Sequence, residues 1–143
     1  MFWDSSALVP LILPETRSAS LTAQLAGATG LTVWWGTPVE CLSAIYRCHR
    51  ETRLPDDVLS AALARLRAVV EDADTVVPND DLRRRAGRLL AVHPLRAGDA
   101  MQLAAALTWC EEQPGGEGFL TLDERLRDAA RREGFTVLPQ PAG

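Results

Sequence analysis

Four acidic residues, Asp4, Glu40, Asp99 and Asp123, stand where this chain can bring carboxylates together. Asp4 follows the apolar pair Phe2-Trp3, and Asp123 follows Phe119-Leu120-Thr121-Leu122. Glu40 and Asp99 each fall in the first turn of an expected helix. Helix amino termini favour negative charge by roughly 0.3 to 1 kcal/mol, but four close carboxylates repel one another and raise their own pKa values unless a counter-charge is supplied. A hard divalent cation is the natural counter-charge. Magnesium takes oxygen ligands from one or two carboxylates, keeps several waters and bridges to phosphate oxygens, so the set suits phosphodiester chemistry. Each acid also has a purely structural reading. Glu40 can close a capping box opened by Thr37, Asp4 and Asp123 can cap helices, and Asp99 can meet a helix dipole. Four such coincidences at four strand-end positions are much less expected by chance.

Bringing the acids to one edge requires strands and helices in alternation, and the chain reads that way. Phe2-Trp3 predicts a short strand, Ala7 to Leu13 a short helix stopped by Pro14, and Glu15 to Leu25 a helix ending near Gly27 or Gly30. Leu31 to Trp35, rich in β-branched and aromatic residues, predicts the second strand. A long helix opens at Thr37-Pro38, with Val39, Leu42, Ala44, Ile45 and Cys48 as its buried stripe. Pro55-Asp56-Asp57 starts another, whose Val58, Leu59, Ala62, Leu63, Leu66 and Val70 share a face. Thr75 to Val77 is a third strand, Asn79 caps an arginine-bearing helix stopped by Pro94, and Ala97 to Glu112 is apolar nearly all round. Gly118 to Leu122 and Phe135 to Leu138 are the last strands, separated by an amphipathic helix from Glu124 to Glu133 that Gly134 closes. Short strands between helices imply an α/β fold with a mainly parallel sheet covered on both faces, and ligands sit at the carboxyl ends of such strands. Residues 1–138 are expected to form a single domain and residues 139–143 a C-terminal tail.

Composition removes competing chemistries. The 143 residues carry 15 basic and 19 acidic side chains for a net charge of −4, and every basic residue is arginine. Without lysine there is no Walker A loop, protein kinase or Schiff-base enzyme. His49 and His93 lie in unrelated contexts and Cys41, Cys48 and Cys110 form no C-x-x-C pair, so a zinc site cannot be written and the cysteines read as buried reduced thiols. No G-x-S-x-G elbow or G-x-G-x-x-G turn occurs. Met1 to Leu13 contains Asp4 and Pro10 and lacks a basic start, so it is neither a signal peptide nor a membrane span, and a cytoplasmic protein is expected. Of the tryptophans, Trp3 and one of Trp34 and Trp35 are expected in the core, with the other of that pair beneath helices on the opposite sheet face.

Asp4-Ser5-Ser6-Ala7-Leu8-Val9, Pro38-Val39-Glu40, Arg96-Ala97-Gly98-Asp99-Ala100-Met101-Gln102-Leu103 and Leu120-Thr121-Leu122-Asp123-Glu124-Arg125-Leu126 resemble, in order, the four acidic motifs of the PIN-domain family, its VapC-type toxins in particular. The resemblance spans essentially the whole chain. It implies a three-layer α/β/α fold and a magnesium- or manganese-dependent endoribonuclease, the toxin of a type II toxin-antitoxin pair. Such toxins are usually homodimers silenced by a small antitoxin protein. Carried over by motif, Asp4, Glu40, Asp99 and Asp123 would hold one or two Mg2+ or Mn2+ ions and carry the hydrolysis of RNA phosphodiesters. Ser5 and Thr121 would support them, and Arg96 would touch substrate or antitoxin. With the chain acidic overall, the RNA path falls to clusters such as Arg47/Arg50/Arg53, Arg83/Arg84/Arg85/Arg88 or Arg125/Arg127/Arg131/Arg132. The competing reading is a catalytically inactive PIN-like module that binds RNA or protein, which predicts a damaged acidic set. A magnesium phosphatase using Asp4 as nucleophile lacks the D-x-D pair and lysine it needs.

Overall fold

The structure, a computed structural model, describes residues 1–13, 18–27 and 30–140. Five short strands, β1 (Phe2–Trp3), β2 (Thr32–Trp34), β3 (Asp74–Val76), β4 (Gly118–Leu120) and β5 (Thr136–Leu138), form one sheet in the order β3-β2-β1-β4-β5. Every pairing is parallel. Parallel strands need crossovers, and here helices supply them. They are α1 (Ser5–Ile12), α2 (Ser18–Gly27), α3 (Thr37–Thr52), α4 (Asp56–Asp72), α5 (Asp80–Val92), α6 (Ala97–Trp109) and α7 (Glu124–Glu133).

The two-residue period of a strand sends alternate side chains to opposite faces, and the core divides accordingly. Phe2, Trp34, Phe119 and Val137 pack with Leu82, Leu89, Leu103 and Leu126 from α5, α6 and α7. Trp3, Val33 and Leu120 pack with Leu8, Leu21, Ile45 and Leu66 from α1 to α4. The result is a three-layer α/β/α fold. Phe2 stacks on Phe119 with ring centroids 5.4 Å apart, and Phe119 meets Phe135 at 5.5 Å. Full burial of each such side chain stabilises by roughly 1.5–3 kcal/mol.

Local signals set most boundaries. Asn79 Oδ1 accepts from the Leu82 amide at 2.8 Å to start α5, and Gly134, at φ 109°, ends α7 in the left-handed conformation that suits glycine. The expected stop at Pro14 and helix start at Glu15 lie outside the described residues, as do residues 141–143 of the expected tail.

Several expectations are corrected. Trp35 is 60% exposed and not covered by helices, because β2 ends at Trp34 and the following residue leaves the sheet. Val39, placed in a buried stripe, is 68% exposed. Only Cys41 of the three cysteines is fully buried, and burial, with Glu40's charge beside it, pushes its thiol up to about 12. Arg127 is no surface cation: it is buried and donates to the carbonyls of Thr121, Leu138 and Pro139, tying β4 to β5.

Candidate functional site

Asp4 follows β1 and caps α1. Its Oδ2 accepts from the Ser6 amide at 3.3 Å, Ser6 Oγ at 2.5 Å and Thr121 Oγ1 at 2.8 Å. Those hydroxyls are themselves held, since Ser6 Oγ accepts from the Leu122 amide at 2.9 Å and Thr121 Oγ1 from the Asp123 amide at 3.1 Å. Oδ1 receives only a long 3.4 Å contact from Ser5 Oγ. Asp4 is 4% exposed, and burial pushes its carboxyl above the ordinary aspartate value despite the hydrogen bonds that oppose the rise.

Glu40 does not close a capping box. The helix begins one residue earlier than that motif requires: Gly36 occupies the cap position, where a side chain's Cβ would lie 2.5 Å from Trp34 Nε1. Thr37 is therefore inside α3, and its hydroxyl accepts from Gln102 Nε2 at 2.9 Å. Released from a capping role, Glu40 accepts from Ser5 Oγ at Oε2 (2.8 Å) and from Gln102 Nε2 at Oε1 (3.2 Å). Burial raises its pKa first, and the charges of Asp4 and Asp99 raise it further.

Asp99, on the first turn of α6, accepts from the Arg96 amide through Oδ2 at 3.3 Å. Its pKa is raised by burial and by Asp123, while Arg96 and Arg125 pull the other way. Asp123 caps α7, its Oδ1 accepting from the Leu126 amide at 2.9 Å. The four acids thus form an interacting series along the carboxyl edge of the sheet. Among the described residues, Oδ1 of Asp99 and Oδ2 of Asp123 accept no hydrogen bond, and Asp4 Oδ1 has only its long one. Among the described residues, no cationic side chain hydrogen-bonds any of the four.

The chemistry of this donor set fits a hard divalent cation: all oxygen, partly desolvated, mutually repelling and, among the described residues, with an unpartnered oxygen on Asp99 and on Asp123 and only a long contact at Asp4 Oδ1. The side chains do not form a closed cage, since no three His, Cys, Asp or Glu among the described residues are grouped as a metal site. Magnesium needs no such cage, because waters and phosphate oxygens fill most of its shell.

Of the supporting residues expected, Thr121 holds Asp4 and Ser5 bridges Asp4 to Glu40. Ser6, Gln102 and Thr37 were not anticipated. Ser6 stood inside the first motif and Gln102 lies three residues after Asp99, hence on the same helix face, a spacing that could have singled it out. Of the arginine clusters, Arg83 and Arg84 pair with Asp80 and Asp81, Arg85 with Glu112, Arg88 with Glu133 and Arg131 with Asp128. Arg96 and Arg125 are cations whose fields reach Asp99.

Comparison with known proteins follows the geometry. The PIN domain family model matches residues 1–132. No curated protein sequence matches the chain. Among solved structures, the fold is similar to FitAcB from Neisseria gonorrhoeae, with a TM-score of 0.68 at 12% identity and 96% of each chain covered. PAE2754 from Pyrobaculum aerophilum gives 0.65 at 20% identity, covering 95% of this chain and 87% of that one. A toxin-antitoxin complex from Klebsiella pneumoniae gives 0.58 at 16% identity with 85% of each chain covered.

Proposed function

This chain belongs to the PIN domain family, and from that premise we propose that it is a metal-dependent endoribonuclease, the VapC-type toxin of a type II toxin-antitoxin pair. The observation that carries the reading is the run of electrostatically coupled carboxylates, Asp4, Glu40, Asp99 and Asp123, at one sheet edge. Capping alone accounts for Asp123 and leaves Glu40 unexplained. An inactive binding module has no need to keep three carboxyls under mutual repulsion or burial.

Asp4, Glu40, Asp99 and Asp123 would hold one or two Mg2+ or Mn2+ ions. When bound, such an ion supplies Lewis acidity toward water and a counter-charge for phosphate oxygens. The chain's own residues do the positioning. Ser6 and Thr121 occupy Asp4 Oδ2 and leave Oδ1 with only the long contact from Ser5, while the Arg96 amide and the Leu126 amide fix Asp99 and Asp123 by one oxygen each. Arg96 and Arg125 attract the RNA backbone to an edge that would otherwise repel it. Glu40 and Asp123 are the candidates to orient the attacking water.

Residues 1–138 act as a single unit in this proposal, in a cytoplasmic homodimer. No described helix is long and apolar enough to cross a membrane. An antitoxin is the partner that the resemblance to the Klebsiella toxin-antitoxin complex suggests. A cleft of about 390 Å³ between α3 and α4, lined by Pro38, Leu42, Tyr46, Leu63 and Val70 with Arg67 and Glu71, suits one of its apolar segments.

The deciding experiment is induced expression of the parent and Asp4→Asn proteins without a neighbouring gene, reading growth and new RNA 5′ ends together. Arrest and cleavage by the parent alone are expected. Equal arrest by both sinks the assignment. Folded parent protein that neither arrests growth nor cuts RNA favours the binding module.

A further inference from the structure

We propose that Gln102 is a positioning residue that clamps Glu40, and that this clamp sets how tightly the acidic edge holds a divalent cation. The inference rests on the reading just given and extends it to a residue outside the four acidic motifs' carboxylates.

Gln102 is fully buried in α6, a helix whose Ala100, Leu103, Ala104, Ala105, Ala106 and Leu107 are also buried. A leucine or methionine would fill that position without burying an amide. The amide is also incompletely satisfied: Nε2 donates to Thr37 Oγ1 and Glu40 Oε1, while Oε1 has no partner among the described residues. Burying a polar atom without a partner works against folding, so packing alone does not account for a glutamine here. The orientation is dictated by its neighbour, because only the NH2 end can face a carboxylate.

The gain lies with Glu40. Among the described residues, Asp99 and Asp123 accept through one oxygen and Asp4 chiefly through Oδ2, whereas Glu40 is held through both. Ser5 from α1 holds Oε2 and Gln102 from α6 holds Oε1. Glutamate has three side-chain torsions, and the charges of Asp4 and Asp99 both push this one away. Two donors from separate elements oppose that push and keep the carboxylate in place before any cation arrives, which is preorganisation. Because Gln102 sits one helical turn after Asp99, the same rigid helix places both a free carboxylate oxygen and the donor that aims Glu40.

The test is Mn2+ titration by calorimetry on the full chain, comparing the parent with Gln102→Met, together with melting of both proteins in EDTA. The expected result is an affinity weaker by about tenfold, with a melting temperature in EDTA equal to or above the parent's, and RNA cleavage whose kcat falls while KM stays. Removing a merely structural glutamine would lower the EDTA melting temperature and leave the affinity of the folded fraction unchanged, and that pattern overturns the proposal. Where methionine does not pack, Gln102→Asn keeps the amide one methylene short of Glu40 and has to show the same loss of affinity. Equal Mn2+ affinity in parent and variant overturns this inference alone. Absence of Mn2+ binding by the parent overturns the functional reading and this inference with it.

Discussion

Thr121 Oγ1 donates to Asp4 Oδ2 at 2.8 Å, joining residues 117 positions apart. Parallel pairing of β1 with β4, with Trp3 beside Leu120, brings the next residues of both strands together at the carboxyl edge. The Asp4 amide completes the register by donating to Leu120 O at 2.9 Å. Thr121 in turn accepts from the Asp123 amide, so one hydroxyl ties the first acid to the backbone of the last.

Thr121→Val keeps the shape and removes the bonds to Asp4 and the Asp123 amide, together with the 3.1 Å contact with Ser6 Oγ. Leaving the Asp123 amide without that acceptor and Asp4 without that donor is expected to cost about 1–3 kcal/mol of stability. Urea unfolding measures the loss, and RNA cleavage should fall along with it. Unchanged stability would show that the bond contributes nothing net.

Asp4→Asn should abolish growth arrest and lower RNA cleavage by at least about 10²-fold, the scale seen when one electrostatic element of a site is removed. The fold should survive. Asparagine caps helices as well as aspartate does, and it removes a carboxyl whose ionised form burial already disfavours. The metal-free variant should therefore melt at or above the parent's temperature. Asp99→Asn should lose cleavage in the same way.

Adding Mn2+ or Mg2+ should stabilise the parent, because an ion that binds only the folded state contributes about 2.7 kcal/mol at a hundredfold excess over Kd. For a domain of this size that is a rise in melting temperature on the order of 8 °C. Calorimetric melting with and without EDTA reads it, and Asp4→Asn should show a smaller rise.

Arg125 and Arg127 should separate recognition from stability. Arg125→Ala is expected to weaken RNA binding and reduce the salt slope by about 0.7, the effect of one lost contact to single-stranded phosphate, without changing unfolding. Arg127→Ala should cost about 3 kcal/mol of stability, because three carbonyls lose a charged donor, while cleavage per folded molecule stays. The reverse pattern would exchange their roles.

Glu133 gives the fold an acid-sensitive contact. Burial alone would raise its pKa, but hydrogen bonds from the buried His93 at 2.7 Å and from Arg88 at 3.1 Å outweigh it and hold the carboxyl below its ordinary value of 4.5. A lowered folded-state value means that the contribution is fully present above pH 4.5 and is lost as pH falls through the lowered value. Glu133→Gln should be less stable than the parent at pH 7, and the gap should close as the pH drops below 4.5. Denaturation curves at several pH values would show this, and a gap independent of pH would exclude it.

Local chemistry made much of the fold legible. Asn79 as a cap, Gly134 as a stop and the strand signals around Phe2, Thr32 and Phe119 mark elements through interactions within a few residues, which any short window of sequence contains. Arg127 lies between Leu126 and Ala130 on the buried side, so its neighbours already argued against a surface role.

The sequence by itself determined that strands and helices alternate and that four acids stand at their ends, because capping, periodicity and motif order are local properties. Tertiary structure alone decided which oxygens are held and which are free. Gly36, packed under Trp34, takes the cap position that Thr37 was expected to hold, and Glu40 meets Ser5 and Gln102, 35 and 62 residues away. Within α6 the spacing from Asp99 puts Gln102 on the face of an acid, but nothing local names the groups it meets. Its partners come from another helix, and a hydrogen bond between distant segments exists only once the sheet has set them side by side.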